Sequence, residues 1–127
     1  MEPKIAPGIE GEKEITVTPV LLAKAYCSVT IDVFATPSMI TLMEQTAMES
    51  VADLLPEGLV TVGTEVSVKH FNATLLGKAV SCKSKVILAE GKKIVFEVEA
   101  SDVRGLIGKG VHTRYIVDKQ LFIDGLK

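Results

Sequence analysis

A chain of 127 residues, 47% hydrophobic and 24% charged, is expected to form one soluble globular domain with its own core rather than a disordered segment. No apolar run approaches the roughly 20 residues of a membrane span, and the N-terminus lacks a charged-then-apolar signal, so the expectation is a cytoplasmic protein without membrane contact. A net charge of −2 with only 5% aromatic residues speaks against nucleic acid as a partner.

Residues 1–12 (MEPKIAPGIEGE) contain Pro3, Pro7, Gly8 and Gly11 and predict a loose arm within a single domain spanning 1–127. "EITVTP" predicts a short strand ended by Pro19. Residues 20–35 fit either a strand or a loop with a helical turn. Thr36 then reads as an N-cap with Pro37 at the first helical position, and the helix should end near Leu55, because Pro56 and Gly58 follow. At 100° per residue, Met39, Met43, Leu54, Ala47, Ile40, Val51 and Leu55 span an arc of about 160°. Glu44 falls inside that arc, whereas Gln45, Glu49 and Asp53 fall opposite. A carboxylate in an apolar stripe is costly unless it is paired, hydrogen-bonded or used.

Beyond the helix the pattern alternates. Val60, Val62, Thr64, Val66, Val68 and His70 share one face of a strand, and Thr61, Gly63, Glu65, Ser67 and Lys69 the other. A second strand covers about 78–88, with Val80, Cys82, Val86 and Leu88 on one side. Glu90-Gly91 turns into "KKIVFEVEA", which points Ile94, Phe96, Val98 and Ala100 one way. "DVRG" turns again into a last strand over about 106–117. One early strand, one long apolar helix and a meander of antiparallel strands make an α+β plan. The only available cover for the sheet is that helix, so the predicted architecture is a hot-dog fold, a long central helix wrapped by an antiparallel sheet. Its exposed sheet edges favour a homodimer or higher homo-oligomer.

Cys27 and Cys82 lie far apart without a C-x-x-C motif and read as free buried thiols; with two histidines in the chain, no metal site is expected. Charge is uneven: residues 1–63 hold 3 basic and 9 acidic side chains, residues 64–127 hold 11 and 7. The bland account of the basic half is a set of solvated strand faces, and the sharper one is a field suited to a phosphorylated ligand.

Several residues are candidates for chemistry. Glu44 is either a structural carboxylate or an acid–base group lining a cavity. His70, at the end of a Val/Thr strand face, is either a hydrogen-bonded core residue or a general base, neutral near pH 7. His112 weighs more towards structure or ligand contact. Gly63 interrupts a β-rich run, marking a bulge or a close approach to the backbone, where an N–H can polarise a carbonyl oxygen. No G-x-S-x-G, Walker, G-x-G-x-x-G or H-E-x-x-H sequence is present.

"VFATPSMITLMEQTAM", "VGTEVSVKHFNAT" and "GKGVHTRYIV" together resemble the fluoroacetyl-coenzyme A thioesterase-like branch of the hot-dog superfamily, from Val33 to Val117. The spacing is the specific element: Thr36, then Glu44 eight residues on, Gly63-Thr64 nineteen further, and His70 seven beyond Gly63. The resemblance implies hydrolysis of an acyl-coenzyme A thioester, without a cofactor, by a dimer or larger assembly with sites near the subunit interface. It implies that Glu44 and His70 activate water or mediate acyl transfer, with Thr36 orienting the carboxylate. The Gly63 amide, with Thr64 beside it, would bind the thioester carbonyl, and Arg114 would contact the ligand or the interface. The stretch "AYCSVTIDVFAT", with Tyr26 and Phe34 its only rings, is poorer in aromatics than the comparable stretch of fluoroacyl-hydrolysing relatives. The resemblance therefore does not extend to selectivity for a fluorinated substrate, and a general short or medium acyl group is expected. Two alternatives stand beside hydrolysis. One is a non-catalytic acyl-coenzyme A binding or sensing domain, which has no need of a base. The other is a hydratase, whose Asp/His motif is missing here.

Overall fold

Alternating hydrophobicity after the helix does become a meander. The computed structural model describes residues 4–26 and 31–127, and Cys27 lies outside the described residues. Strand β1 (Glu10–Thr16) is followed by two 3-10 turns at Pro19–Leu21 and Ala23–Tyr26, then helix α1 (Thr36–Ala52). Strands β2 (Leu59–His70), β3 (Ala79–Glu90), β4 (Lys93–Asp102) and β5 (Gly105–Asp118) come next, and helix α2 (Lys119–Asp124) closes the chain. The five strands form one antiparallel sheet in the order β1-β3-β4-β5-β2, with β1 and β2 at its edges. Gly91 and Gly105 make the two tight turns of the meander in the positive-φ region, at +60° and +126°, which a residue with a Cβ rarely adopts.

Helix α1 lies against the sheet. Met39, Leu42, Met43, Ala47 and Val51 share one core with Val80, Cys82, Val86, Ile94, Phe96, Val98, Ala100 and Ile107. Each fully buried Leu, Ile, Val, Met or Phe among them contributes about 1.5–3 kcal/mol through the water it leaves. Cys82 is a free, fully buried thiol whose pKa is raised, chiefly by burial. No helix among the described residues is long and apolar enough to cross a membrane.

Several expectations are corrected. The loose arm ends sooner than residue 12, because β1 begins at Glu10 and pairs Glu10–Glu12 with Lys85–Lys83. Gly11 is a point of close approach between β1 and α1, since a Cβ there would lie 2.6 Å from the Cβ of Ser50 and 2.9 Å from the carbonyl oxygen of Thr46. Thr36 is not the N-cap: Ala35 holds that position in an extended conformation, with no side-chain cap, and the Thr36 hydroxyl bonds elsewhere. Helix α1 ends at Ala52, and Leu54 and Leu55 continue only as i→i−3 turns.

The buried face of α1 runs from Ser38 through Leu42, Thr46, Met39, Met43 and Ala47 to Val51, rotated about 70° from the hydropathy arc. Thr46 can be buried because its hydroxyl donates to the Leu42 carbonyl at 2.7 Å, and Leu54 and Leu55, which weighted the arc, lie past the helix end. Glu44 is therefore half-buried at the rim of that face.

Strand phase changes twice. A bulge between Gly63 and Glu65 turns Thr61 inward and leaves Val60 exposed, while a shift between Val86 and Leu88 moves Leu88 off the core face. Helix α2 was not expected; its cap is the Asp118 carboxylate, which accepts from the Leu121 N–H at 3.0 Å.

Candidate active site

The first functional cluster forms at the head of α1. The segment before the helix is strapped down by backbone bonds: Phe34 N–H to Thr74 O, Ala35 N–H to Leu21 O, and Ala23 N–H to Val33 O, each 2.8 Å. This strap sets Thr36 beside His70, the last residue of β2. Thr36 Oγ1 and His70 Nδ1 are 2.8 Å apart. Buried Phe34 packs edge-on to the imidazole, with centroids 6.4 Å apart and planes at 76°. The other ring nitrogen, Nε2, is buried without a partner among the described residues. Burial lowers the pKa of His70 below 6.5, with the backbone of Asn72 acting in opposition, so the ring is neutral at pH 7. A cavity of about 230 Å³ opens here, lined by Ala23, Val33, Phe34, Thr36, Pro37, His70, Asn72 and Ala73.

A second cluster surrounds Glu44. A Cβ built on Gly63 would lie 3.0 Å from Glu44 Oε2, 3.2 Å from His112 Cε1 and 3.3 Å from Arg114 Nη1. Arg114, only 7% exposed, donates from Nε to Thr61 Oγ1 at 2.7 Å and from Nη2 to Thr61 O at 2.8 Å. Its Nη1 lies 3.2 Å from His112 Nε2, and His112 Nδ1 lies 2.8 Å from the Glu65 carbonyl oxygen. A carbonyl only accepts and a guanidinium only donates, so His112 is the neutral tautomer protonated at Nδ1. Burial lowers its pKa first; the Glu65 carbonyl and the Glu44 charge oppose that shift, and the Arg114 charge adds to it. Burial also lowers the pKa of Arg114, against the attraction of Glu44.

The expected residues thus fall into two groups within one chain. Thr36 meets His70, and Glu44 meets Gly63 and Arg114. Glu44 lies eight helical steps beyond Thr36, a rise of about 12 Å. The hydroxyl partner of Thr36 within the chain is His70, not the Glu44 carboxylate. Thr64 sits in the bulge, with its hydroxyl 3.3 Å from the Thr113 carbonyl. The guanidinium of Arg114 is engaged by protein groups rather than directed into the cavity beside His70.

Thr61, Asn72 and the packing role of Phe34 were not anticipated. A hydroxyl two residues before Gly63 in a valine-rich strand was the available sign for Thr61.

Residues 17–120 match the family model described as fluoroacetyl-CoA-specific thioesterase, FlK. A fluoroacetyl-CoA thioesterase from Streptantibioticus cattleyicolor is 33% identical over 91 residues, a match covering 72% of this chain and 66% of that protein, just under two-thirds of its length. The solved structure of the fluoroacetyl-CoA thioesterase FlK superimposes with a TM-score of 0.89 at 26% identity, over 96% of this chain and 95% of that one. A variant of FlK in complex with fluoroacetate and CoA gives a TM-score of 0.86 at 27% identity, over 93% and 99%. Both clusters lie within the matched span, and the helix-on-sheet architecture is shared along nearly the whole chain. This chain belongs to the fluoroacetyl-CoA-specific thioesterase family, a family of thioester hydrolases, and has the hot-dog fold.

Proposed function

We propose that this protein hydrolyses a short or medium acyl-CoA thioester, with Thr36, Glu44 and His70 as its reacting constellation. The observation that carries this reading is the Thr36–His70 pair: a neutral imidazole, fixed through Nδ1 at 2.8 Å, whose buried Nε2 has no partner among the described residues. A nitrogen held in that way beside a cavity is suited to handling the proton of an attacking water. Water adds to the acyl carbon and gives its proton to the base, the carbon–sulfur bond breaks, and the thiolate leaves as the thiol once protonated. The products are a carboxylic acid and free coenzyme A. Gly63 lies at a bulge in an edge strand, where an amide N–H could polarise the thioester carbonyl.

The separation of the two clusters supports a site shared between copies, with Thr36 and His70 from one protomer facing Glu44, Gly63 and Arg114 of another in a homodimer or larger assembly. An isologous dimer would form two such sites.

Release of free coenzyme A from a panel of acyl-CoA thioesters, by wild type and His70→Ala, tests the activity. A fall of about 10²–10⁴-fold in a variant that keeps its circular dichroism spectrum is expected from loss of a general base. Equal rates would remove His70 from the mechanism. Binding without turnover on any thioester would favour the acyl-CoA sensing domain instead. Mixing His70→Ala with Glu44→Ala protomers tests the sharing: recovery of about a quarter of wild-type activity is expected, since half the dimers then carry one intact site. No recovery would place each site within one chain.

A further inference from the structure

Beside the cavity at the head of α1 lies a second cleft, of about 330 Å³, lined by Ala73, Leu75, Lys78, Val103 and Arg104. Ala73 belongs to both linings, so the two spaces are neighbours across that residue. They also share a scaffold, because Val33, in the wall of the first, bridges Leu75 in the wall of the second.

The walls of the cleft combine two features. Val103 and Leu75 are 92% and 61% exposed, apolar side chains held out in solvent at a turn and a loop. Lys78 and Arg104 carry two positive charges, and among the described residues no charged side-chain nitrogen of either comes within 4.0 Å of a carboxylate oxygen. Arg104 is not a freely swinging arginine. Its Nη2 donates to the Ala73 carbonyl, and its backbone N–H donates to Asp102 Oδ1 at 2.8 Å. Asp102 is in turn tied by the Thr74 hydroxyl at 2.7 Å. Asp102 accepts from the Thr74 hydroxyl and the Arg104 backbone rather than from the guanidinium, although the two charges attract. A pre-positioned guanidinium loses less entropy on gripping an anion and can take phosphate oxygens in two-point fashion.

We propose that this cleft is the subsite for the phosphate-bearing nucleotide end of the coenzyme A thioester, with Arg104 and Lys78 on its phosphates and Leu75 and Val103 against its apolar surface. The inference rests on the acyl-CoA reading above and selects these two cations from the basic half of the chain. They border a cleft that shares the lining residue Ala73 with the Thr36–His70 cavity, whereas Lys83 and Lys85 stand in register with Glu99 and Glu97 on another part of the sheet.

The test compares an acyl-CoA with the matching acyl-pantetheine, which has the same thioester and no phosphate. The readout is the ratio of their kcat/KM values in wild type, Arg104→Gln, Lys78→Gln and the double variant. Each substitution should lower that ratio by about tenfold, as expected for losing a hydrogen bond to a charged group, and the change should lie in KM for acyl-CoA. A ratio equal to wild type in the double variant overturns the subsite. Calorimetric titration with adenosine 3′,5′-bisphosphate reads the same site without turnover. Binding to wild type that weakens in the double variant supports the subsite even if no thioester is hydrolysed, and binding that does not change overturns it. Absence of turnover on both thioesters counts against the hydrolase reading alone.

Discussion

Gly63→Ala probes the Glu44 cluster with a single methyl group. The backbone at Gly63 needs no positive φ, so the substitution strains nothing by itself, and all three atoms the new Cβ would meet belong to side chains. Two of them are pinned: His112 by Glu65 and Arg114, and Arg114 by two bonds to Thr61. That leaves the Glu44 carboxylate, the far end of a flexible side chain, now 3.0 Å from the Cβ position. Comfortable contact begins near 3.5 Å, so Glu44 must retreat by about 0.5 Å. Since a displacement of about 1 Å at a reacting group can cost 10²-fold, kcat/KM should fall by about tenfold. Stability should stay within about 1 kcal/mol of wild type, because the crowding is offset by the lower chain entropy of alanine in the unfolded state.

Gly110→Ala is the contrasting control. Its Cβ would meet backbone atoms of the partner strand, the Ser67 carbonyl oxygen and, at 2.6 Å, the Val68 Cα, so β2 and β5 would have to part at a cost of about 3 kcal/mol or more. Acyl-CoA turnover and a thermal melt of both variants decide the matter. Wild-type turnover in Gly63→Ala would refute the placement of Glu44 as a reacting group. A melt lowered as far as that of Gly110→Ala would refute the claim that only side-chain ends surround Gly63.

Two further outcomes follow from the same site. Arg114→Met leaves Thr61 Oγ1, Thr61 O and His112 Nε2 without their donor but also removes a buried charge, for a net loss of about 2–4 kcal/mol. At about 4 °C per kcal/mol for a domain of this size, the melting temperature should drop by about 8–16 °C, and a drop of under about 2 °C would contradict the network. His70 and His112 both have folded pKa values below 6.5, so between those values and 6.5 the unfolded chain binds more protons than the folded one. Stability therefore rises with pH through that window and falls on acidification, which denaturant titrations at about pH 5 and about pH 7 would register. If His70 is the base, the acid limb of kcat/KM lies below 6.5, and a limb above it would contradict a base kept neutral by burial.

The fold was largely legible because its signals are periodic. Alternation in "KKIVFEVEA" put Ile94, Phe96, Val98 and Ala100 on the core side, where all four are buried. The errors share a cause: each arose where a hydrogen bond rather than hydropathy decides. Thr46 and Ser38 belong to the buried face of α1, which an apolar arc leaves out; Thr46 returns its hydroxyl to the helix backbone at Leu42. Thr36 fits an N-cap by residue type, yet its hydroxyl goes to a histidine 34 residues away in sequence. The candidate site residues were named from the spacing that carries the family resemblance. Their division into two clusters was not, because it depends on the length of α1 between Thr36 and Glu44 and on the phase of β2.

That phase carries a prediction of its own. Gly63 and His70 are seven residues apart, an odd interval that places them on opposite faces of a regular strand. In this sheet both face α1: Gly63 towards Glu44, and His70 towards Thr36 and Phe34. The extra residue at the bulge between Gly63 and Glu65 reverses the alternation, so Leu59, Thr61 and Gly63 join Val66, Val68 and His70 on the inner side. Deleting Thr64 should restore strict alternation and turn Thr61 and Gly63 outward. Arg114 would then lose both bonds to Thr61, and the melting temperature should fall at least as far as in Arg114→Met. Thr64→Ala keeps the extra residue and loses only one long hydroxyl bond, worth under about 1 kcal/mol. If Thr64→Ala turns over acyl-CoA normally while the deletion is unstable and inactive, residue 64 acts through chain length. If Thr64→Ala is as inactive as the deletion, its hydroxyl meets the substrate. A deletion variant with unchanged stability would mean that the two halves of β2 do not depend on the bulge for their common face.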